Sequence, residues 1–159
     1  MADQYLDRLD RKILDSLTSD SKGSQKLLSA SLGISEPSIT KRKRDLEGKK
    51  IIKNYSINIG YDRIGYTTNA VTLVKLKVQK NEVINAIVAE LLKINDAIEV
   101  YTVFGEWDIF VRWMSTSPAR VSEFVQLISE NESVAHTQTV QLASEHKRVH
   151  GPKLNLAEE

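Results

Sequence analysis

The first third of the chain carries apolar residues at helical spacing, separated by two short polar segments. Each group of leucine and isoleucine predicts one amphipathic helix. The three groups are Leu6, Leu9, Ile13, Leu14 and Leu17; Leu27, Leu28 and Leu32; and Ile39 and Leu46. Ser24 is suited to cap the second helix, and Gly33 to end it in the left-handed conformation. Ser35 and Pro37 are typical of the start of the third helix.

The third predicted helix buries a narrow stripe, so most of its surface is free for a partner. It carries the basic run Lys41-Arg42-Lys43-Arg44. Two short helices joined by a glycine-containing turn, the second polar and basic, indicate a helix-turn-helix, whose second helix enters the DNA major groove. Arg42 lies beside the apolar stripe, and the pattern leaves open whether it contacts DNA or braces the domain. The predicted DNA-binding residues are Gln25, Lys26, Ser35, Glu36, Pro37, Ser38, Thr40, Lys41, Arg42, Arg44, Lys49 and Lys50.

The rest of the chain alternates between strand and helix patterns. Strands are predicted over residues 70–78, 97–104, 107–114 and 134–143, the middle two forming a hairpin at Gly105-Glu106. Helices between them bury Val83, Ile84, Ile87, Val88, Leu91 and Leu92, and then Val121, Phe124, Val125 and Ile128. The order βαββαβ predicts a ferredoxin-like sheet with helices on one face. Apolar residues on the other face would be exposed to water unless another surface packs on them, and a second subunit is the simplest such partner.

The fold class is therefore α+β, with four predicted segments. Residues 1–53 form the helix-turn-helix domain, with or without a wing, and residues 54–66 a linker strand suggested by the spacing of Tyr55, Ile57 and Ile59. Residues 67–145 form the βαββαβ domain, which we expect to oligomerise. Residues 146–159 form a C-terminal tail.

Charge and composition narrow the function classes. Residues 1–60 hold twelve Lys and Arg against eight Asp and Glu, a net +4, whereas residues 61–159 hold ten against thirteen, a net −3. The basic half suits a polyanion. With no cysteine, no apolar run of about 18 residues and no secretory signal, we expect a cytoplasmic protein without membrane spans, disulfides or a thiolate metal site.

The same residues carry a family resemblance. The chain resembles the Lrp/AsnC, or feast/famine, transcriptional regulators over nearly its whole length. The matching positions are Leu9-Asp10, Ile13-Leu14, Leu32-Gly33-Ile34-Ser35, Ser38-Ile39, Arg42, Leu46-Glu47, Ile51-Ile52, Phe104-Gly105-Glu106-Trp107-Asp108, Thr137 and Thr139. The resemblance implies homodimers, commonly assembled into octamers, that bind palindromic double-stranded DNA and respond to amino acids. It also implies that residues 67–145 are a RAM or ACT-like domain for oligomerisation and effector binding. One departure is Lys50, which stands where the family usually has glycine.

The resemblance also implies an effector pocket around the Gly-x-x-Asp loop and the last strand. Carried over, its residues are Tyr101, Thr102, Gly105, Glu106, Trp107, Asp108, Thr137, Gln138 and Thr139. A glycine turn exposes backbone N–H groups for a carboxylate, and Asp108 or Glu106 is suited to an ammonium group. The alternative is that Gly105 only makes the hairpin and Trp107 only packs. An amino-acid effector is expected, and no other cofactor and no metal.

An enzyme and an architectural DNA-binding protein are the two alternative function classes. An enzyme has little support, because the sequence offers no cysteine and no serine in a recognisable nucleophile setting. His146 and His150 have the spacing of a helical metal pair, but Gly151-Pro152 follows at once. An architectural protein that compacts DNA without any ligand would share the basic helix and the assembly. It would differ only in showing no response to amino acids.

Overall fold

The computed structural model describes residues 6–19 and 23–146. The described residues up to Asn58 belong to one compact unit, and those from Ile59 to His146 form another. The helices are α1 Arg8–Ser19, α2 Gln25–Leu32, α3 Glu36–Gly48, α4 Asn81–Leu91 and α5 Pro118–Ser129. The strands are β1 Thr68–Leu76, β2 Ala97–Thr102, β3 Ile109–Ser115 and β4 Val134–Gln141. The predicted tail, 146–159, lies outside the described residues except for its first residue.

The first unit packs α1, α2 and α3 around a small apolar centre. Ile13 and Ile39 are completely buried and Leu46 is 2% exposed, so the narrow stripe predicted for α3 is confirmed. Leu27 was expected to face inward, but it is 72% exposed. Adjacent helix positions point about 100° apart, so Leu27 and Leu28 do not share one narrow face, and Leu28 and Leu32 are the half-buried leucines of α2.

The predicted linker strand and wing are wrong for the described chain. Residues 53–60 form neither helix nor strand, and a short 3-10 helix, Tyr61–Ile64, follows. Ile57 is 71% exposed. The apolar spacing indicated an extended segment, but a strand also needs a neighbour for its backbone N–H and C=O groups. Within the described residues no strand pairs with this segment.

The second unit is a four-stranded antiparallel sheet in the order β2-β3-β1-β4. Helices α4 and α5 cover one face, where Val74, Val111 and Trp113 form the centre of the core. The Trp113 indole Nε1–H donates to the hydroxyl of Thr72 at 2.8 Å, so a fully buried polar group is satisfied. The βαββαβ prediction is confirmed, and it leaves the opposite sheet face without a helix.

Some predicted element ends differ from the structure. The hairpin strands were expected to reach residue 104 and to restart at 107, but β2 ends at Thr102 and β3 begins at Ile109. The six residues between them form a loop closed by the Val103 N–H, which donates to the Asp108 carbonyl at 2.9 Å. Leu92 was placed on the inner face of α4 but follows the helix end and is exposed. Val78 likewise lies beyond β1 and is exposed.

Candidate nucleic-acid interface and effector loop

The turn between α2 and α3 is fixed by local hydrogen bonds. Gly33 has φ 66°, the left-handed conformation predicted for it, and its N–H donates to the Ser29 carbonyl. The Ser35 hydroxyl caps α3 by accepting from the Ser38 N–H at 3.4 Å, and Pro37 occupies the first turn. Ser24 makes no side-chain cap, so that part of the prediction is wrong. The two helices are thereby held in a helix-turn-helix arrangement.

An open groove of about 820 Å³ lies along α2 and α3. Its lining residues are Gln25, Ser29, Glu36, Pro37, Thr40, Lys41, Arg44 and Asp45. Six of the predicted DNA-binding residues are therefore brought together on one surface. Lys26, Ser35 and Ser38 are exposed beside it without being part of its lining.

Two groove residues were missed at the level of sequence. Ser29 lies four residues after Gln25, and Asp45 four residues after Lys41, so each shares a helix face with a predicted residue. The four-residue spacing was the signal in the sequence that indicated these two residues. The charge pattern indicates only the cations and the first turn of α3.

Arg42 turns away from the groove and braces the unit. Its Nη1 donates to Asp7 Oδ2 at 2.6 Å and to Asp10 Oδ1 at 2.7 Å. Burial raises the pKa of Asp7, but the Asp10 N–H and the Arg42 guanidinium outweigh this effect, and the pKa lies below its ordinary 3.8. Of the two roles left open for Arg42, these contacts support bracing α3 against α1, and a DNA contact of Arg42 stays a prediction.

The two lysines after α3 differ in backbone conformation. Both are exposed. Lys49 has φ −78°, whereas Lys50 has φ 57°, and it is the one non-glycine residue with positive φ within residues 6–19 and 23–146. The Lys50 N–H donates to Glu47 O and the Ile51 N–H to Leu46 O, each at 2.9 Å, which is the Schellman arrangement for a helix end. Lysine thus occupies the position that usually takes glycine.

The β2–β3 loop, residues 103–108, contains the proposed effector loop. Gly105 has φ 127°, a conformation that disfavours any side chain. Phe104 is fully exposed, and Glu106 is also exposed. Trp107 packs on His136 with ring centroids 5.7 Å apart. The loop therefore presents a glycine turn, a carboxylate and an aromatic side chain to the outside.

Asp108, predicted to bind an effector ammonium, has a structural role in this chain. It is 5% exposed. Its carboxylate accepts from the Leu76 N–H at 2.7 Å and from Gln79 Nε2 at 2.7 Å, and Lys75 Nζ lies 3.3 Å away. These contacts fix the segment that follows β1 and use the oxygens that an ammonium would need. An effector contact of Asp108 stays a prediction.

The other predicted effector residues are divided between the two faces of the sheet. Thr137 and Thr139 pair with Val74 and Thr72, whose side chains point to the helices. The Thr139 hydroxyl lies 2.8 Å from that of Thr72, and the Thr137 hydroxyl 3.0 Å from that of Ser129. Gln138, one residue away from each, points to the opposite face.

Tyr101 and Thr102, neighbours on β2, are divided in the same way. The ring of Tyr101 packs against Phe110 on the helix-free face, and Thr102 pairs with Ile109. A single chain therefore does not gather all nine predicted effector residues into one pocket.

Neither a membrane-spanning helix nor a metal cluster is found in the part of the chain that the structure describes. Across residues 6–19 and 23–146, none of the helices has the length and hydropathy of a membrane span. The same residues contain no group of three or more His, Asp or Glu side chains arranged to hold a metal ion. Of the predicted pair His146 and His150, residue 150 lies outside the described part.

Comparisons with known proteins agree with this architecture. Residues 6–47 match the AsnC-type helix-turn-helix domain, and residues 69–151 match the Lrp/AsnC ligand binding domain. The HTH-type transcriptional regulator FL11 of Pyrococcus horikoshii is 30% identical over 142 residues, covering 89% of this chain and 92% of that protein.

Solved structures resemble the chain over most of its length. LrpC of B. subtilis has a TM-score of 0.77 at 25% identity and covers 89% of this chain and 97% of its own. A transcriptional regulator from Neisseria meningitidis, solved as an L-Met complex, has a TM-score of 0.86 at 21% identity, covering 94% and 97%. The relatives are transcriptional regulators and not enzymes. The chain, a transcriptional regulator with a helix-turn-helix domain and a ligand-binding domain, belongs to the Lrp/AsnC family.

Proposed function

We propose that the chain binds a palindromic double-stranded DNA operator as a homodimer, with dimers assembling into octamers, and that its second unit binds an amino-acid effector. The observation that carries the DNA part is the open groove along α2 and α3, which Lys41 and Arg44 line beyond the first turn of the capped helix α3. A helix that is docked along one edge and cationic on the outside is suited to the major groove.

The DNA part is tested by salt dependence. Each phosphate contact releases counterions, so affinity must fall steeply as salt rises. Lys41→Ala and Arg44→Ala are each expected to weaken binding, and a lost phosphate contact reduces the slope of log K against log salt by about one. Lys93→Ala, at an exposed position of the second unit, is the matched control. A flat salt response, or equal effects of all three variants, would refute the proposed interface.

The dimer part rests on the helix-free face of the sheet. Cross-strand pairing places Leu73, Phe110, Tyr101 and Val140 on this face. Tyr101 is 52% and Val140 46% exposed. Covering such a surface by a second copy removes apolar area from water, and a two-fold dimer matches a palindromic operator.

Light scattering tests the assembly. Val140→Asp is expected to shift the protein toward monomer. Val78→Asp, also at an exposed valine but beyond the end of β1, should leave the mass unchanged. A monomeric wild-type protein would overturn this part of the proposal.

The effector part draws on the family's ligand-binding domain and on the exposed loop at Gly105 and Glu106. An amino acid that binds the folded assembly raises its melting temperature, so each proteinogenic amino acid is tested by thermal shift. Glu106→Gln is expected to abolish the shift if this carboxylate receives the ammonium group. The internal engagement of Asp108 favours a second candidate, a ligand-independent architectural DNA-binding protein, which predicts no shift with any amino acid.

A further inference from the structure

The groove along α2 and α3 contains few side chains that are free to hydrogen-bond a base. The Ser29 hydroxyl donates to the Ile34 carbonyl at 2.6 Å, and the Thr40 hydroxyl to the Glu36 carbonyl at 3.1 Å. Beside the groove, the hydroxyls of Ser35 and Ser38 lie 2.8 Å apart and form one hydrogen bond with each other. Ser29 and Thr40 therefore use their hydroxyl donors within the protein, and the pair Ser35 and Ser38 uses one of its two.

The charged side chains of the groove have no such partners within the described residues. Glu36 and Lys41 lie in the first half of α3, and Arg44 and Asp45 in the second half. First-turn residues of a recognition helix come closest to base edges, and later ones come closer to the backbone. Glu36 is therefore the strongest hydrogen-bond acceptor placed where bases are contacted, because a carboxylate accepts more strongly than a hydroxyl.

A carboxylate in the major groove is selective because most of its surroundings repel it. Guanine presents the acceptors N7 and O6, thymine presents O4, and adenine presents its N6 amino group beside the acceptor N7. Cytosine presents the N4 amino group without an acceptor on the same base. A negative charge close to the phosphates is tolerated when it meets such a donor and is unfavourable otherwise.

We propose that Glu36 determines base specificity by accepting a hydrogen bond from the N4 amino group of a cytosine, so that each operator half-site contains a required C·G pair. This inference rests on the proposed DNA-binding function. Lys41 and Arg44 offset the negative charge of Glu36 in the same groove.

The test is selection of binding sites from random duplexes with the full-length protein. The wild type should enrich one C·G pair per half-site and bind it at least about tenfold more tightly than duplexes with A·T or T·A at that position. Glu36→Gln should change the motif at this position alone and admit adenine, since glutamine pairs with adenine N6 and N7. The preference for cytosine should then fall below roughly threefold.

Asp45→Asn is the matched control. It removes a carboxylate from the same groove, nine residues or ~14 Å further along α3, and it should raise affinity for all duplexes without changing the motif. The inference is overturned if Glu36→Gln keeps the wild-type motif or behaves like Asp45→Asn. If the wild type enriches no duplex at all, the proposed DNA-binding function fails with it, so the two failures are distinguishable.

A second measurement needs no variant and so does not depend on the folding of Glu36→Gln. Replacing the required cytosine by 2-pyrimidinone removes the N4 amino group. Wild-type affinity should fall about tenfold when the contact is lost. Unchanged affinity would overturn the proposal.

Discussion

Replacing Lys50 by glycine should stabilise the first unit, because α3 ends in a conformation that lysine disfavours. Lys50 has φ 57°. For an L-residue the left-handed region costs about 1–2 kcal/mol, owing to the approach of Cβ to the following carbonyl. Glycine avoids this contact, but its greater freedom in the unfolded chain costs about 0.5–1 kcal/mol. The expected net gain in the free energy of unfolding is about 0.5–1 kcal/mol.

Amide hydrogen exchange of the full-length chain is the direct assay. The Ile51 N–H donates to Leu46 O across the left-handed residue, so its protection reports this helix end. A gain of that size should slow its exchange by roughly two- to fivefold. Amides of the second unit serve as an internal reference and should not change.

Two variants separate the effect of relieving backbone strain at residue 50 from the effect of removing the lysine charge. Lys50→Ala removes the same charge but keeps Cβ, so it should give little or no gain. Lys49→Gly places glycine at φ −78°, where there is nothing to relieve, and should destabilise by about 0.5–1 kcal/mol. The reasoning is refuted if Lys50→Gly fails to exceed Lys50→Ala.

Three further substitutions test individual contacts. Thr72→Val leaves the buried Trp113 N–H without its acceptor and should cost about 1–3 kcal/mol in urea unfolding monitored by fluorescence; a neutral result would contradict this role. Arg42→Ala should cost about 1 kcal/mol, discounted for exposure. Because the pKa of Asp7 is lowered, this difference should be present above about pH 4 and disappear as the pH falls below it. Burial and the hydrogen bond to Glu47 raise the pKa of Tyr55 to about 12. Stability should therefore fall as the pH rises from the ordinary value of 10 toward 12, and Tyr55→Phe should remove this part of the decline.

The helix-turn-helix could be predicted from sequence because its determinants are local. Gly33 and Ser35 end α2 and begin α3 through hydrogen bonds to residues only a few positions away. Ile39 and Leu46 share one buried face of α3. Arg42 could not be assigned in the same way. Its partners Asp7 and Asp10 are more than 30 residues away in sequence, and only the packing of α1 on α3 reveals that they take up its charge.

The predicted linker strand failed for a related reason. Periodicity reports which side chains share a face, but a strand also requires a hydrogen-bonding neighbour. Tyr55 illustrates the difference. Its spacing with Ile57 and Ile59 suggested a strand, whereas in the structure its hydroxyl donates to Glu47 at 2.7 Å and Lys43 lies over its ring.

The β2–β3 loop shows why sequence predicts a turn more reliably than the role of each residue in it. Gly105-Glu106 between two strand patterns correctly predicted a turn between β2 and β3, since glycine at φ 127° is a backbone requirement. The role of Asp108 depends instead on the end of β1, where the Leu76 N–H and the Gln79 amide satisfy its carboxylate. An incoming ammonium group would have to displace hydrogen bonds that already hold the end of β1 and the segment after it. Glu106, exposed one residue after the glycine, requires no such exchange, and recognition of an effector amine by this loop is therefore better assigned to Glu106 than to Asp108.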